Sequence, residues 1–143
     1  MTETLLIILL TAAAYLLGSV SNAVWIGKTF YGTDVREHGS HNAGATNTMR
    51  ILGRRAGIAV FVLDFLKGFI AVSLAALLPY AAGSPALFNM KFVLTAAVVL
   101  GHIFPLFAGF RGGKGVATLA PSCYVWPPSP SSSCSAGTSP WPR

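Results

Sequence analysis

The sequence predicts an all-α integral membrane protein: three transmembrane helices, at about residues 5–26, 56–78 and 92–107, followed by a disordered tail. Two observations predict it. Hydrophobic residues fill 53 % of the 143 positions and charged residues only 10 %, the balance of a bilayer-embedded chain rather than a water-soluble domain. The apolar residues are also gathered into three long runs, with nearly all the charges between and after them.

Leu5–Ile26 is the first run. A helix rises 1.5 Å per residue, so roughly 20 residues cross a ~30 Å hydrocarbon core, and this run is long enough. Ser21-Asn22-Ala23 resembles a signal-peptide cleavage site, but the residues ahead of the run carry Glu3 and no Lys or Arg, whereas signal peptides begin with positive charge. Ala56–Leu78 is the second run and spans as comfortably. Phe92–Phe107 is shorter and is broken by Pro105, so the third helix is expected to borrow a residue or two on each side.

From Pro121 the character changes. Residues 121–143 are dominated by Pro and Ser and show no periodicity, a composition that neither continues a helix nor builds a core. A disordered tail is one reading; GC-rich coding DNA read in a shifted frame is the other. The second is favoured because the break falls where a fourth apolar run is due, and resequencing around codon 120 decides between them. Residues 1–120 then form the N-terminal part of one polytopic domain.

The formal net charge of +6 could suggest nucleic acid, but its placement points to a membrane. Lys28, Arg36, Arg50, Arg54 and Arg55 follow the first run, Lys91 alone precedes the third, and Arg111 and Lys114 follow it. The positive-inside rule then puts the N-terminus outside and both glycine-rich loops in the cytoplasm. Cys123 and Cys134 both lie in the last segment and imply no disulfide framework.

The first of those loops, Gly39-Ser40-His41-Asn42-Ala43-Gly44-Ala45-Thr46-Asn47-Thr48-Met49-Arg50, is richer than a connector needs. Its glycines and small residues let backbone N–H groups approach a ligand, Ser40, Thr46 and Asn47 add side-chain donors, and Arg50 adds a planar fork suited to phosphate or carboxylate. The plain alternative is a capped connector whose Asn and Ser satisfy helix ends. The second loop runs from Phe110 to Thr118 through Arg111, Gly112, Gly113, Lys114 and Gly115. It fails as a nucleotide P-loop: Ala108 stands where the first glycine belongs, Gly115 stands where Ser or Thr would hold magnesium, and a membrane helix precedes it instead of a strand. Its physics survives, with glycine N–H groups, a helix start near Val116 and the full charge of Lys114 all favouring an anion.

Asp64 and Lys67 lie inside the second run, one turn apart on one helical face. Intramembrane charges are functional candidates, and a structural ion pair is an equal alternative. His102, near the end of the third run, is either a packed, hydrogen-bonded histidine or part of a site wall. His38 and His41 with Asp34 and Glu37 could mimic a metal cluster, but no further ligand follows at suitable spacing. Ser40, His102 and Asp64 show no spacing that supports a catalytic triad.

The first loop, the pair Asp64…Lys67-Gly68, and the run from Gly101-His102 through Gly112-Gly113-Lys114-Gly115-Val116-Ala117-Thr118 together resemble the bacterial acyl-phosphate:glycerol-3-phosphate acyltransferases, the PlsY family, over residues 1 to about 119. The resemblance implies a seven-helix enzyme of the bacterial cytoplasmic membrane, N-terminus outside and site at the cytoplasmic surface. It implies transfer of an acyl chain from acyl phosphate to the 1-hydroxyl of glycerol 3-phosphate, giving lysophosphatidic acid, with no metal and no cofactor. Membrane lipid and the enzyme that makes the acyl phosphate are the implied partners; nucleic acid is not one. Ser40, Arg50 and Lys114 would be catalytic, and Asn42, Gly44, Thr46, Asn47, His102, Gly112, Gly113 and Gly115 would bind substrate phosphate or shape its site.

The sequence also departs from that family. The third cytoplasmic motif, with its histidine and asparagine, has no match here, and four later helices are replaced by the Pro/Ser segment. The expectation is therefore little or no activity for the chain as written. A small anion-binding membrane transporter and a membrane fragment without function are the alternative readings; an acyl-phosphate-dependent assay of a frame-restored chain separates them.

Overall fold

The computed structural model describes residues 2–125, and among these all regular structure is helical. Six α-helices, α1 (Thr2–Ser19), α2 (Asn22–Tyr31), α3 (Ala45–Leu52), α4 (Arg54–Ser73), α5 (Pro85–Ile103) and α6 (Val116–Leu119), are joined by short 3-10 turns. Three helical stretches are long and apolar enough to cross a bilayer: Thr2–Tyr31, Arg54–Leu77 and Pro85–Ala108. Many large apolar side chains point outward, among them Ile8, Leu9, Phe69 and Phe92, as suits surfaces that face lipid tails.

The first run is not one helix over residues 5–26. It breaks at Val20–Ser21, and α2 restarts at Asn22. The break has a polar cause that hydropathy cannot register. The Lys67 ammonium on α4 donates to the carbonyls of Gly18 (3.3 Å) and Val20 (2.9 Å), supplying the bonds that a continuous helix would otherwise give them. The third helix starts at Pro85, seven residues ahead of the expected 92. Ser84 caps it, its hydroxyl accepting from the Leu87 N–H at 3.2 Å, and Pro85 occupies the first turn, where no amide donor is required. It ends at Ile103 rather than 107, just before Pro105.

A third correction concerns the Pro/Ser segment. Residues Ala120–Val125 continue from α6 as 3-10 turns, and Pro121 is buried against α4. The expected disorder of the remainder lies outside the described residues.

One core cluster joins α1, the end of α4 and α5 through Leu10, Ala14, Ala71, Met90, Leu94 and Val98. A second joins α2, the first loop and α4 through Ala23, Ile26, Val35, Ala43 and Val60. Apolar side chains gain nothing by leaving lipid for protein, so such helices associate through close packing of small residues. Gly18 and Gly101 provide it: a Cβ on Gly18 would overlap the Val98 carbonyl, and one on Gly101 would overlap that of Tyr15. Gly101→Val should therefore lower stability by about 1–3 kcal/mol through overpacking, read as a lower thermal midpoint in detergent, whereas Gly44→Ala, which meets open space, should not.

Candidate functional site

The first loop is organised from within by Asn47. Its side-chain oxygen accepts from the Ser40 N–H at 2.9 Å, and its amide donates to the carbonyls of Val35 (2.8 Å), Asn42 (3.0 Å) and His38 (3.2 Å). One side chain, 2 % exposed, thus replaces the backbone ladder that this loop lacks. The fold it imposes puts His41 at φ 55°, a left-handed conformation uncommon for a residue with a side chain. It also settles the capping alternative. The residue capping α3 is Gly44, with no side-chain cap, and Asn47 is spent on loop carbonyls.

Three contacts clamp this loop to the second one. The Ala43 N–H donates to the Gly112 carbonyl at 3.3 Å, and the Arg36 guanidinium donates to the carbonyls of Ala108 and, at 3.4 Å, Arg111. Arg36 is itself aimed by Asp34, which accepts from Nε (3.0 Å) and Nη2 (2.8 Å) and also pairs with Lys28 at 3.2 Å. The Arg36 side chain, helped by its N–H and by Lys28, holds the Asp34 carboxyl well below the usual aspartate value of 3.8.

Between the two loops and α4 lies a cavity of about 300 Å³. Ser40, Arg50 and Lys114 all line it, as do Asn42, Gly44, Thr46, Asn47, Gly115 and His102. Gly112 and Gly113 do not. Their N–H groups, expected to cradle an anion, instead donate to the carbonyls of Ile103 and His102, both at 3.2 Å, so these glycines permit close packing and offer no free donor. Gly115 caps α6 at φ 72°, again without a side-chain cap. The first turns of α3 and α6 therefore both border the cavity with unbonded N–H groups. Among the described residues, Arg50 and Lys114 enter no ion pair, so two full positive charges face the same space.

The floor is a buried polar network. Asp64, 1 % exposed, lines the cavity and accepts from the Asn22 amide at 2.9 Å and from Lys67 at 2.9 Å. His102 Nδ1 lies 3.7 Å from the same carboxylate and 3.3 Å from the Thr118 hydroxyl. Asp64 and Lys67 are thus a structural ion pair and, at the carboxylate, a wall of the site. Phe61, Val116 and Ala117 supply an apolar side.

Sequence reasoning missed Arg36, Asn22 and Phe61. Arg36 counted only as one more cytoplasmic charge; Asn22, a polar residue inside an apolar run, was the available signal for the network.

The protein-family model for glycerol-3-phosphate acyltransferase matches residues 8–136. A glycerol-3-phosphate acyltransferase of Streptococcus pneumoniae (strain Hungary19A-6) is 50 % identical over 113 residues, covering 79 % of this chain and 50 % of that protein. A crystal structure of PlsY (YgiH), an integral membrane glycerol 3-phosphate acyltransferase in its glycerol 3-phosphate form, superposes with a TM-score of 0.70 at 44 % identity, covering 83 % of this chain and 56 % of that one. The lysophosphatidic acid form gives 0.66 and 41 %. The chain spans about half the length of the relatives it matches.

Two measurements check this geometry. Asn47→Ala should unfold the first loop, seen as faster amide exchange across residues 36–47, and lower stability by about 1–3 kcal/mol through stranded polar groups. Asp34 is held ionised by its partners, so the stability it contributes is fully present above pH 3.8 and lost as pH falls through its depressed folded value. The difference in unfolding free energy between the wild type and Asp34→Asn should accordingly be flat from pH 8 to about 5 and close only in stronger acid.

Proposed function

The chain belongs to the glycerol-3-phosphate acyltransferase family, and on that premise we propose that its cavity holds the phosphates of acyl phosphate and glycerol 3-phosphate during acyl transfer to the 1-hydroxyl, forming lysophosphatidic acid. The observation that carries the reading is convergence: Ser40, Arg50 and Lys114, from separate segments, line one cavity bordered by two helix N-termini without side-chain caps.

That convergence matches the demands of the reaction. An acyl phosphate is a mixed anhydride with phosphate as a good leaving group, so no covalent enzyme nucleophile is required. The difficulty lies in bringing two anions together and aiming a hydroxyl at the carbonyl carbon. Arg50 and Lys114 offset the repulsion, and Lys114 with the α6 N–H groups stabilises charge growing on the leaving phosphate. The Ser40 hydroxyl donates to a phosphate oxygen. As the hydroxyl adds, its proton passes to the departing phosphate, which is basic enough to accept it. The acyl chain leaves over Phe61 and Val116, 48 % and 73 % exposed, toward lipid.

The positive charge of residues 28–55 and 111–114 supports a site at the cytoplasmic face of a bacterial inner membrane, where the enzyme that produces acyl phosphate would supply it. No metal or cofactor enters this scheme.

The test is acyl-phosphate-dependent formation of lysophosphatidic acid by residues 1–119 fused to the C-terminal half of the Streptococcus pneumoniae relative, beside the chain as written. Lys114→Ala and Arg50→Ala in the fusion should each lower kcat/KM by about 100-fold or more. A fusion that folds but makes no product, or a Lys114→Ala rate equal to the parent's, would defeat the reading.

A further inference from the structure

The cavity has opposite electrical character at its two ends. Arg50 and Lys114, both solvent-exposed, stand at its mouth, while Asp64 lies buried at its floor. Every contact of that carboxylate converges on one oxygen: the Asn22 amide, the Lys67 ammonium and, more distantly, His102 Nδ1 all meet Oδ1. Oδ2 has no hydrogen-bond partner among the described residues. It is also not sealed off, because no fully buried side-chain oxygen among those residues lacks a partner. Asp64 is 1 % exposed and lines the cavity, so the small part of Oδ2 left accessible opens there.

Lys67 balances the carboxylate charge without bonding to Oδ2. Its ammonium points away from the cavity, with its three donors directed to Asp64 Oδ1 and the carbonyls of Gly18 and Val20. These contacts occupy Oδ1 and leave Oδ2 as an acceptor without a protein donor. A fully ionised anionic group brings no proton to donate to it, and an apolar one leaves it unsatisfied. A hydroxyl satisfies it.

We propose that Asp64 is a specificity-determining residue whose Oδ2 accepts a hydrogen bond from a hydroxyl of the phosphorylated polyol acceptor, so that the acceptor enters hydroxyl first with its phosphate at the Arg50–Lys114 mouth. The proposal rests on the phosphate-site reading and adds to it a floor that selects polyol phosphates over simple alkyl phosphates.

The experiment measures binding of glycerol 3-phosphate, n-propyl phosphate and inorganic phosphate to the full chain in detergent. The wild type should prefer glycerol 3-phosphate over propyl phosphate by about ten-fold or more, the range of a hydrogen bond to a charged group. Replacing Asp64 alone would strand the Lys67 charge, so the variant is the neutral pair Asp64→Asn/Lys67→Gln, its folding checked by thermal melting. It should lose most of that preference, read as the ratio of the glycerol 3-phosphate and propyl phosphate dissociation constants, which a general loosening of the site would leave unmoved. An unchanged preference overturns the assignment. Failure of the wild type to bind either phosphate control defeats the phosphate-site reading, and the Asp64 role with it.

A measurement on the wild type alone guards against a variant that does not fold. The sequence holds four acidic side chains, Glu3, Asp34, Glu37 and Asp64, so carboxylate infrared bands are few. Glycerol 3-phosphate should shift one of them in the difference spectrum and propyl phosphate should not; equal spectra overturn the proposal.

Discussion

The ion pair between Asp64 and Lys67 is the interaction on which the arrangement of the other elements depends. A charged pair inside a membrane helix is costly unless its partners are engaged; here Lys67 reaches Asp64 and two backbone carbonyls, and Asp64 Oδ1 accepts from Lys67 and Asn22. Lys67 reaches the carbonyls exposed where α1 ends, and Asp64 reaches the Asn22 side chain that opens α2. The break in the first run is thus held by α4, and the position of α2 follows from it. Because α2 leads into the Asn47-organised loop, the same pair fixes the height of that loop relative to α5 and the second loop.

The site itself is assembled by economy of polar contacts. Asn47 satisfies the interior of one loop, Arg36 ties it to the other, and the glycines at 112 and 113 let the two backbones approach. With the internal donors and acceptors occupied, those left over converge on one cavity: two helix starts, the Ser40 hydroxyl, two cations and one carboxylate oxygen. A rigid frame with its remaining polar capacity aimed at one space has its donors in place before any anion arrives.

The bilayer explains why the frame uses such contacts. Packing gains little from the hydrophobic effect in lipid, so small residues and satisfied polar groups do most of the holding. The Gly18–Gly101 crossing serves the first role and the Asn22–Asp64–Lys67 network the second. Both lie directly beneath the site, which couples its geometry to the helix packing.

Composition and the three apolar runs determined the helical membrane class, because span length and charge placement are local properties of a chain. The two polar loops were legible for the same reason, and the fold brings Ser40, Arg50 and Lys114 from them to one cavity. Residues whose importance is a matter of partners were not legible. Hydropathy continues through Val20 and Ser21, so it could not reveal a break imposed by Lys67, 47 residues away from Val20. The pattern Gly112-Gly113 announced free N–H groups, and only the fold showed them bonded to α5 carbonyls. Asp64 remained balanced between structure and function until tertiary contacts gave one oxygen to the ion pair and left the other facing the cavity. Local sequence fixes which groups are available; long-range packing decides which of them are already spent.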